Sequence, residues 1–211
     1  MTSGRRFAHP AATPTGLRLY GHRVMLRPLT TTDFATWSAV RVSNEDWLTP
    51  WEPRRTVSMF DPTRDREAFV ARCTARDRER VNGVAYGFGL FVDNTFAGEV
   101  NLNNVIRGAL QCGTIGYWID RSWAGHRYVA EAVVVLARFA FDELRLHRLE
   151  ICIVPRNSNS RRVMEVLAFR EEGVALRYLE INGVWEDHVR YGVTAEDWQS
   201  RRDELISAWL S

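Results

Sequence analysis

Three stretches of the chain hold side chains at spacings that chemistry can use. In the first, an apolar run ends at Ile119, a loop containing Gly125 follows, and an amphipathic run begins near Arg127. A strand that feeds a helix through such a loop leaves the first backbone N–H groups of the helix unpaired. The positive end of the helix dipole lies behind them. That arrangement suits a diphosphate, although many strand-to-helix turns bind nothing and one glycine names no ligand. In the second stretch, Asn157 opens a short helical run, where its side chain fits the N-cap position. In the third, Glu99, Asn101 and Asn103 fall on one face of a strand by the period of two.

The elements that must position these groups follow from periodicity and turn chemistry. Residues 17–29 alternate roughly apolar and polar around Gly21 and predict two short strands or one bent strand. The segment TTDFATWSAV predicts a helix with Phe34, Trp37 and Val40 on one face. DWLTPWEPRR is too rich in proline for a helix and too aromatic for idle linker, so its indoles are expected to pack. A helix is expected over 65–80, after Asp61, Pro62 and Thr63. Strands are expected over 85–92 and 95–106 around an Asp93-Asn94 turn, and over 114–119. Apolar spacing at Val129, Val133, Leu136 and Leu144 marks an amphipathic helix over 125–144. A buried strand over 149–154 and a helix over 157–167 follow. Strands at 178–181 and 185–192 flank Asn182-Gly183, and a closing helix over 194–210 starts on Thr194. No internal repeat or linker divides this order, which reads as one mixed α/β domain.

Composition narrows the function further. The 211 residues suffice for one domain with a full core. A formal net charge of +2 gives no bulk electrostatic reason for nucleic-acid or membrane-surface binding. Cys73, Cys112 and Cys152 are unpaired in spacing, and Cys112 and Cys152 lie in apolar runs as small buried hydrophobes. No His/Cys cluster has metal-ligand spacing, so no metal site is expected. A reducing, cytoplasmic setting is the simplest expectation. No stretch is apolar and long enough to span a membrane. Residues 1–16, with Arg5, Arg6, Pro10 and Pro14, read as a flexible leader, and 17–211 as the domain.

From Ile115 to Gly173 the chain resembles the acetyl-coenzyme A-binding core of the GNAT N-acetyltransferases. Within that superfamily it is similar to the RimJ and RimL branch of ribosomal-protein-alanine acetyltransferases, nearest to RimJ. The residues carrying the resemblance are Gly116-Tyr117-Trp118-Ile119, Trp123-Ala124-Gly125, Glu131-Ala132, Phe139-Ala140-Phe141, Leu146-His147-Arg148-Leu149, Asn157 with Ser160, and Glu172-Gly173. Outside the core, Leu48-Thr49-Pro50-Trp51-Glu52-Pro53, Phe88-Gly89-Leu90-Phe91, Asn101 with Asn104, Arg107-Gly108 and Gly183, Trp185, Asp187-His188-Val189 continue it in collinear order.

The resemblance implies a single GNAT-like α/β domain of mixed α+β type. Its central, mostly antiparallel sheet would be splayed at an acetyl-CoA cleft and flanked by helices. It implies transfer of an acetyl group from acetyl-CoA to a primary amine by direct attack in a ternary complex. The implied acceptor is the N-terminal α-amino group of a protein, of the ribosomal-protein type. A small amine, polyamine or amino-sugar is an alternative, as is a regulatory protein that holds acyl-CoA without turnover. Monomer or homodimer would be usual.

Residue by residue, Gly125, His126, Arg127, Tyr128 and Val129 would form the phosphate loop and helix start. The amides of Trp118 and Ile119 would line the pantetheine, one facing the thioester carbonyl, and Asn157 would bond the pantetheine arm. Two departures stand out. The family loop runs Gln/Arg-x-x-Gly-x-Gly/Ala, and here Ser122 and Arg127 replace its first and last positions. The side chain of Arg127 either crowds the diphosphate or pairs with it. Counting from Asn157 to the tyrosine acid of many relatives reaches Met164, whereas Ser160 matches the serine assigned that role in RimJ and RimL. Ser160 also fits a plain first-turn residue. Glu99 is either a base that takes the amine's proton through water or a solvated edge carboxylate, and the RimJ pattern has an apolar residue there. Trp47, Trp51, Glu52, Asn101 and, as alternatives, Tyr178 and Glu180 are candidates for the acceptor wall, with Glu52 facing a charged N-terminus; core packing is the other reading of the indoles.

Overall fold

The computed structural model describes residues 16–54 and 60–211, so all but the last residue of the expected leader lies outside the described residues. Among the described residues, eight strands numbered in chain order form one sheet in the order β1-β2-β3-β4-β5-β6-β8-β7. Strands β1 (Leu19–Tyr20) and β2 (Val24–Arg27) lead into α1 (Phe34–Ser43) and α2 (Glu45–Leu48). Helix α3 (Arg66–Val81) precedes β3 (Tyr86–Val92), β4 (Thr95–Ile106) and β5 (Cys112–Ile119). Then follow α4 (Tyr128–Arg138), β6 (Arg148–Ile153), α5 (Ser158–Leu167), β7 (Arg170–Ile181), β8 (Val184–Thr194) and α6 (Ala195–Trp209).

Local chemistry accounts for the joints. Asp93 and Asn94 both take positive φ, 48° and 62°, the conformation a two-residue turn between twisted strands requires. Asp65 caps α3 by accepting the Glu67 and Ala68 amides, and Thr194 and Asp197 form a capping box on α6. Helix α4 is apolar nearly all round, and Ala130 through Ala137 are buried against the sheet. Its last turn widens to a π-helical turn at Phe139–Glu143, which carries the chain on to Leu144. On the opposite face, α1 and α3 cover the first half of the sheet through Trp37, Phe69, Cys73, Phe91 and Phe96.

The sequence reading needs three corrections. The proline-rich stretch after Asn44 is helical: α2 runs into a 3-10 turn at Thr49–Trp51 with Pro50 in its opening positions, where a missing N–H costs nothing. Strand β7 begins at Arg170 rather than Tyr178. As the edge strand, it exposes every residue from Arg170 to Val174, so no alternation betrays it. Cys152 is half-buried, unlike the buried Cys112.

What matters most for the site is where β5 and β6 part. They pair in parallel only at Cys112–Thr114 against Arg148–Glu150, while β6 stays paired with β8 through Ile153. Beyond Thr114 the edge of β5 facing β6 is open, and the sheet is splayed there.

Candidate active site

The open edge of β5 is the floor of a cleft of about 1010 Å³. Its size is at the upper end of the range typical of small-molecule sites, about 300–1,000 Å³. Strand alternation decides which amides it offers. The Asp120 N–H donates to the Ala97 carbonyl on β4, so every second residue back along β5 faces β4 too. Trp118 therefore turns its peptide toward β4, and a Cβ at Gly98 would collide with its carbonyl oxygen. Tyr117 and Ile119 present their N–H groups to the open edge. Of the two amides expected there, the Ile119 amide is placed to meet a ligand, and the Trp118 amide is not. The Ile119 carbonyl is already taken, accepting from Trp47 Nε1 at 3.1 Å.

At one end of the cleft the loop after β5 delivers the N-terminus of α4. Gly125 has φ +84° and nothing within 4 Å of where a Cβ would stand, so its backbone is open to a ligand. Arg127 is the N-cap residue, in the left-handed region at φ 65°. This explains the family's glycine at that position: the backbone turn, rather than crowding, asks for it. The arginine holds the same turn at a cost of about 1 kcal/mol. Its side chain is exposed at the cleft rim with no hydrogen-bond or ion-pair partner among the described residues. Behind the loop, buried Glu131 ties the first turn of α4 to β2. It accepts from Arg23 Nε at 2.9 Å and from the Val24 N–H at 3.1 Å, while Arg23 also donates to the His126 carbonyl.

Helix α5 brings Asn157 and Ser160 to the other wall. Asn157 Oδ1 accepts the Ser160 N–H at 3.1 Å, which caps the helix, and Asn157 Nδ2 has no partner among the described residues. The Tyr117 hydroxyl donates to the Ser160 carbonyl at 3.2 Å. Burial pushes the Tyr117 pKa well above the ordinary phenol value. The phenol stays protonated and donates.

The opposite half of the cleft is framed by arginine–carboxylate pairs. Glu99 is only 3% exposed and is no solvated edge carboxylate. Its Oε1 accepts from Trp37 Nε1 and its Oε2 from Arg72, each at 2.5 Å. With both oxygens engaged, Glu99 has an architectural task that competes with the role of base. Arg41 grips Glu52 with two parallel bonds of 2.6 and 2.7 Å and lies over the Trp118 ring, so Glu52 meets any incoming ammonium as half of a pair. Asn101 lines the same wall, and its Oδ1 accepts the Phe88 N–H at 3.3 Å. Trp51 lies under Arg156, which donates to the Pro50 carbonyl and pairs with Glu186 on β8. The tip of the β7–β8 hairpin closes this side, the Asn182 N–H donating to the Glu52 carbonyl at 2.8 Å.

The cleft thus gathers Ser160, Glu99, Trp118, Ile119, Gly125, Arg127, Tyr128, Val129, Asn157, Trp51, Glu52 and Asn101. Two expected residues are not among its lining: the His126 ring lies beside Tyr128, and Tyr178 is on the outer hairpin against His188. Tyr178 lies on β7, beyond β8, with its side chain against His188 and Cys152 rather than in the cleft. Sequence reasoning passed over Arg41, Arg72 and the phenol of Tyr117. The arginines find their partners across long stretches of chain with no short spacing to signal it. Tyr117 stood in a recognised motif, and only its partner was hidden. Among the described residues no group of three His, Cys, Asp or Glu side chains could hold a metal ion.

The donor set fits a diphosphate-bearing thioester carrier, with unpaired amides, a free guanidinium and a free carboxamide donor along one groove. Comparison with known proteins agrees. A family model described as an acetyltransferase (GNAT) domain matches residues 23–170. A probable N-acetyltransferase of Bacillus subtilis (strain 168), YjcK, is 36% identical over 172 residues, covering 81% of this chain and 93% of that protein. The [ribosomal protein uS5]-alanine N-acetyltransferase of Escherichia coli (strain K12) is 31% identical over 188 residues, covering 88% and 95%. Among solved structures, Mycobacterium smegmatis RimJ in complex with CoA-disulfide superposes with a TM-score of 0.83 at 32% identity, covering 95% of this chain and 97% of that one.

Proposed function

The chain belongs to the GNAT acetyltransferase family, and from that premise we propose that it acetylates the N-terminal α-amino group of a protein, a ribosomal protein beginning with alanine, using acetyl-CoA. The observation that carries the reading is 31% identity to the uS5-alanine enzyme across 95% of that protein's length. The cleft supports it, with room for a carrier and an acceptor meeting at the open edge of β5.

In this reading the amides at the start of α4 and the guanidinium of Arg127 hold the diphosphate. Asn157 Nδ2 donates to the pantetheine arm. The Ile119 N–H points at the thioester oxygen, where charge grows as the amine attacks. The C–N bond forms as the C–S bond breaks. The amine's proton leaves through ordered water on the Glu99–Asn101 wall, and the departing sulfur takes a hydrogen bond from Ser160 before a proton reaches it. The Arg41–Glu52 pair and Trp51 shape the acceptor mouth. No helix among the described residues is long and apolar enough to cross a membrane, and the reading places the enzyme in the cytoplasm, where ribosomal proteins are made.

The test is a thiol-release assay with peptides and small amines as acceptors. An alanine-initiated peptide should exceed polyamines and amino-sugars in kcat/KM by about tenfold or more. A small amine that outperforms every peptide overturns the acceptor assignment. Binding of acetyl-CoA without amine-dependent thiol release overturns catalysis by this cleft.

A further inference from the structure

We infer that Tyr117 is a positioning residue: its hydroxyl fixes the first turn of α5 against β5 and thereby holds the Asn157 carboxamide in the cleft. The inference rests on the acetyl-CoA reading above. Its basis is that the Ser160 backbone is bonded at both ends. Its N–H is held by Asn157 Oδ1 at 3.1 Å, and its carbonyl by the Tyr117 hydroxyl at 3.2 Å. These bonds run in series from the donor strand, through one peptide residue, to the side chain whose free nitrogen faces the groove.

The need for such a tie follows from the splay. Beyond Thr114 no ladder bonds join β5 to β6, so the strand carrying the Ile119 amide and the helix carrying Asn157 lose their common backbone support. Tyr117 reaches across from the strand side of that gap. Its ring packs with the main core, on the same side of β5 as Ile115 and Ile119. The ring position is therefore set by packing, and the hydroxyl supplies the hydrogen bond that conveys it to α5. Raised by burial, the phenol does not titrate in the working range, and the tie is independent of pH.

Tyr117→Phe keeps the ring and removes only the tie. Asn157→Asp keeps the capping oxygen and removes the free donor. Calorimetric titration with acetyl-CoA of the wild type, both variants and the double variant reads the relation without turnover. We expect Tyr117→Phe to weaken binding about fivefold, Asn157→Asp about tenfold, and the double variant to bind no more weakly than Asn157→Asp alone, the non-additivity of two groups acting through one contact. Tyr117→Phe binding within about twofold of the wild type overturns the inference, including where its melting temperature falls, because the bond is then merely structural. Losses that multiply in the double variant also overturn it, because the hydroxyl then acts apart from Asn157. A wild-type protein that does not bind acetyl-CoA overturns the functional reading and this inference together, an outcome distinct from the other two.

Discussion

Asn157 caps α5 with one end of its carboxamide and leaves the other end free: Oδ1 accepts the Ser160 N–H at 3.1 Å, and Nδ2 has no partner among the described residues. Cap and ligand contact use different atoms, so one substitution separates them. Asn157→Asp should melt at or above the wild-type temperature, since a carboxylate caps well and favours the helix dipole. It should nonetheless bind acetyl-CoA about tenfold more weakly, about 1.4 kcal/mol. Unchanged affinity in that variant confines Asn157 to the cap.

Ser160 is expected to act on turnover. A serine hydroxyl is a far weaker acid than a thiol, with its pKa of about 8.5, so it donates a hydrogen bond to the leaving sulfur rather than surrendering its proton. Ser160→Ala should lower kcat about tenfold with acetyl-CoA affinity unchanged. Normal kcat removes the hydroxyl from the reaction.

Arg127 holds a left-handed turn at φ 65° that glycine adopts freely. In Arg127→Gly, the relief of about 1 kcal/mol is offset by the greater freedom of glycine in the unfolded chain, so the melting temperature should move little. Loss of the guanidinium should weaken acetyl-CoA binding about fivefold and flatten its dependence on salt. Tighter binding by the glycine variant would mean that the arginine obstructs the groove.

Glu99 and Arg72 test architecture against catalysis. Arg72→Met strands a carboxylate that is 3% exposed and should cost about 3 kcal/mol of stability. Glu99→Gln keeps the shape and a bond to Trp37, and kcat should fall less than about tenfold. A loss of about a hundredfold or more, with the fold intact, makes Glu99 the proton acceptor.

The thiols should be quiet in the assay. Burial pushes Cys73 and Cys112 to about 11, and Cys152 is also raised by burial. At pH 8 the first two are about one part in a thousand thiolate. A thiol-specific chromogenic reagent should report released coenzyme with little background from native protein, whereas urea should expose all three cysteines to rapid reaction. Fast labelling of Cys73 in native protein contradicts its burial behind Phe69 and Trp37.

Much of this is legible in the sequence. The Asp93-Asn94 and Asn182-Gly183 turns, the long α4 and the parting of β5 from β6 announce themselves through local turn chemistry, periodicity and one collinear resemblance. The loop before α4, Asn157 and Ser160 stand out in the same segment, and the fold brings them to one cleft. The rest was hidden for physical reasons. Strand β7 lies at the sheet edge and has no buried face to alternate with. Glu99 pairs with a tryptophan and an arginine from two different helices, and Arg41 with Glu52 across α2, associations that only packing creates. Tyr178 reads as a cleft residue because nothing in the chain order signals that β8 inserts between β6 and β7.

That reversal has a bearing on biosynthesis. Strand β8 lies between β6 and β7, and the hairpin tip is fastened to the loop at Glu52. A nascent chain paused before β8 therefore has the loop between β5 and α4 but neither the support for β6 nor the hairpin tip that closes the cleft. Removing β8 takes away the partner strand of β6, which leads into α5 and Asn157, so both walls of the cleft depend on this segment.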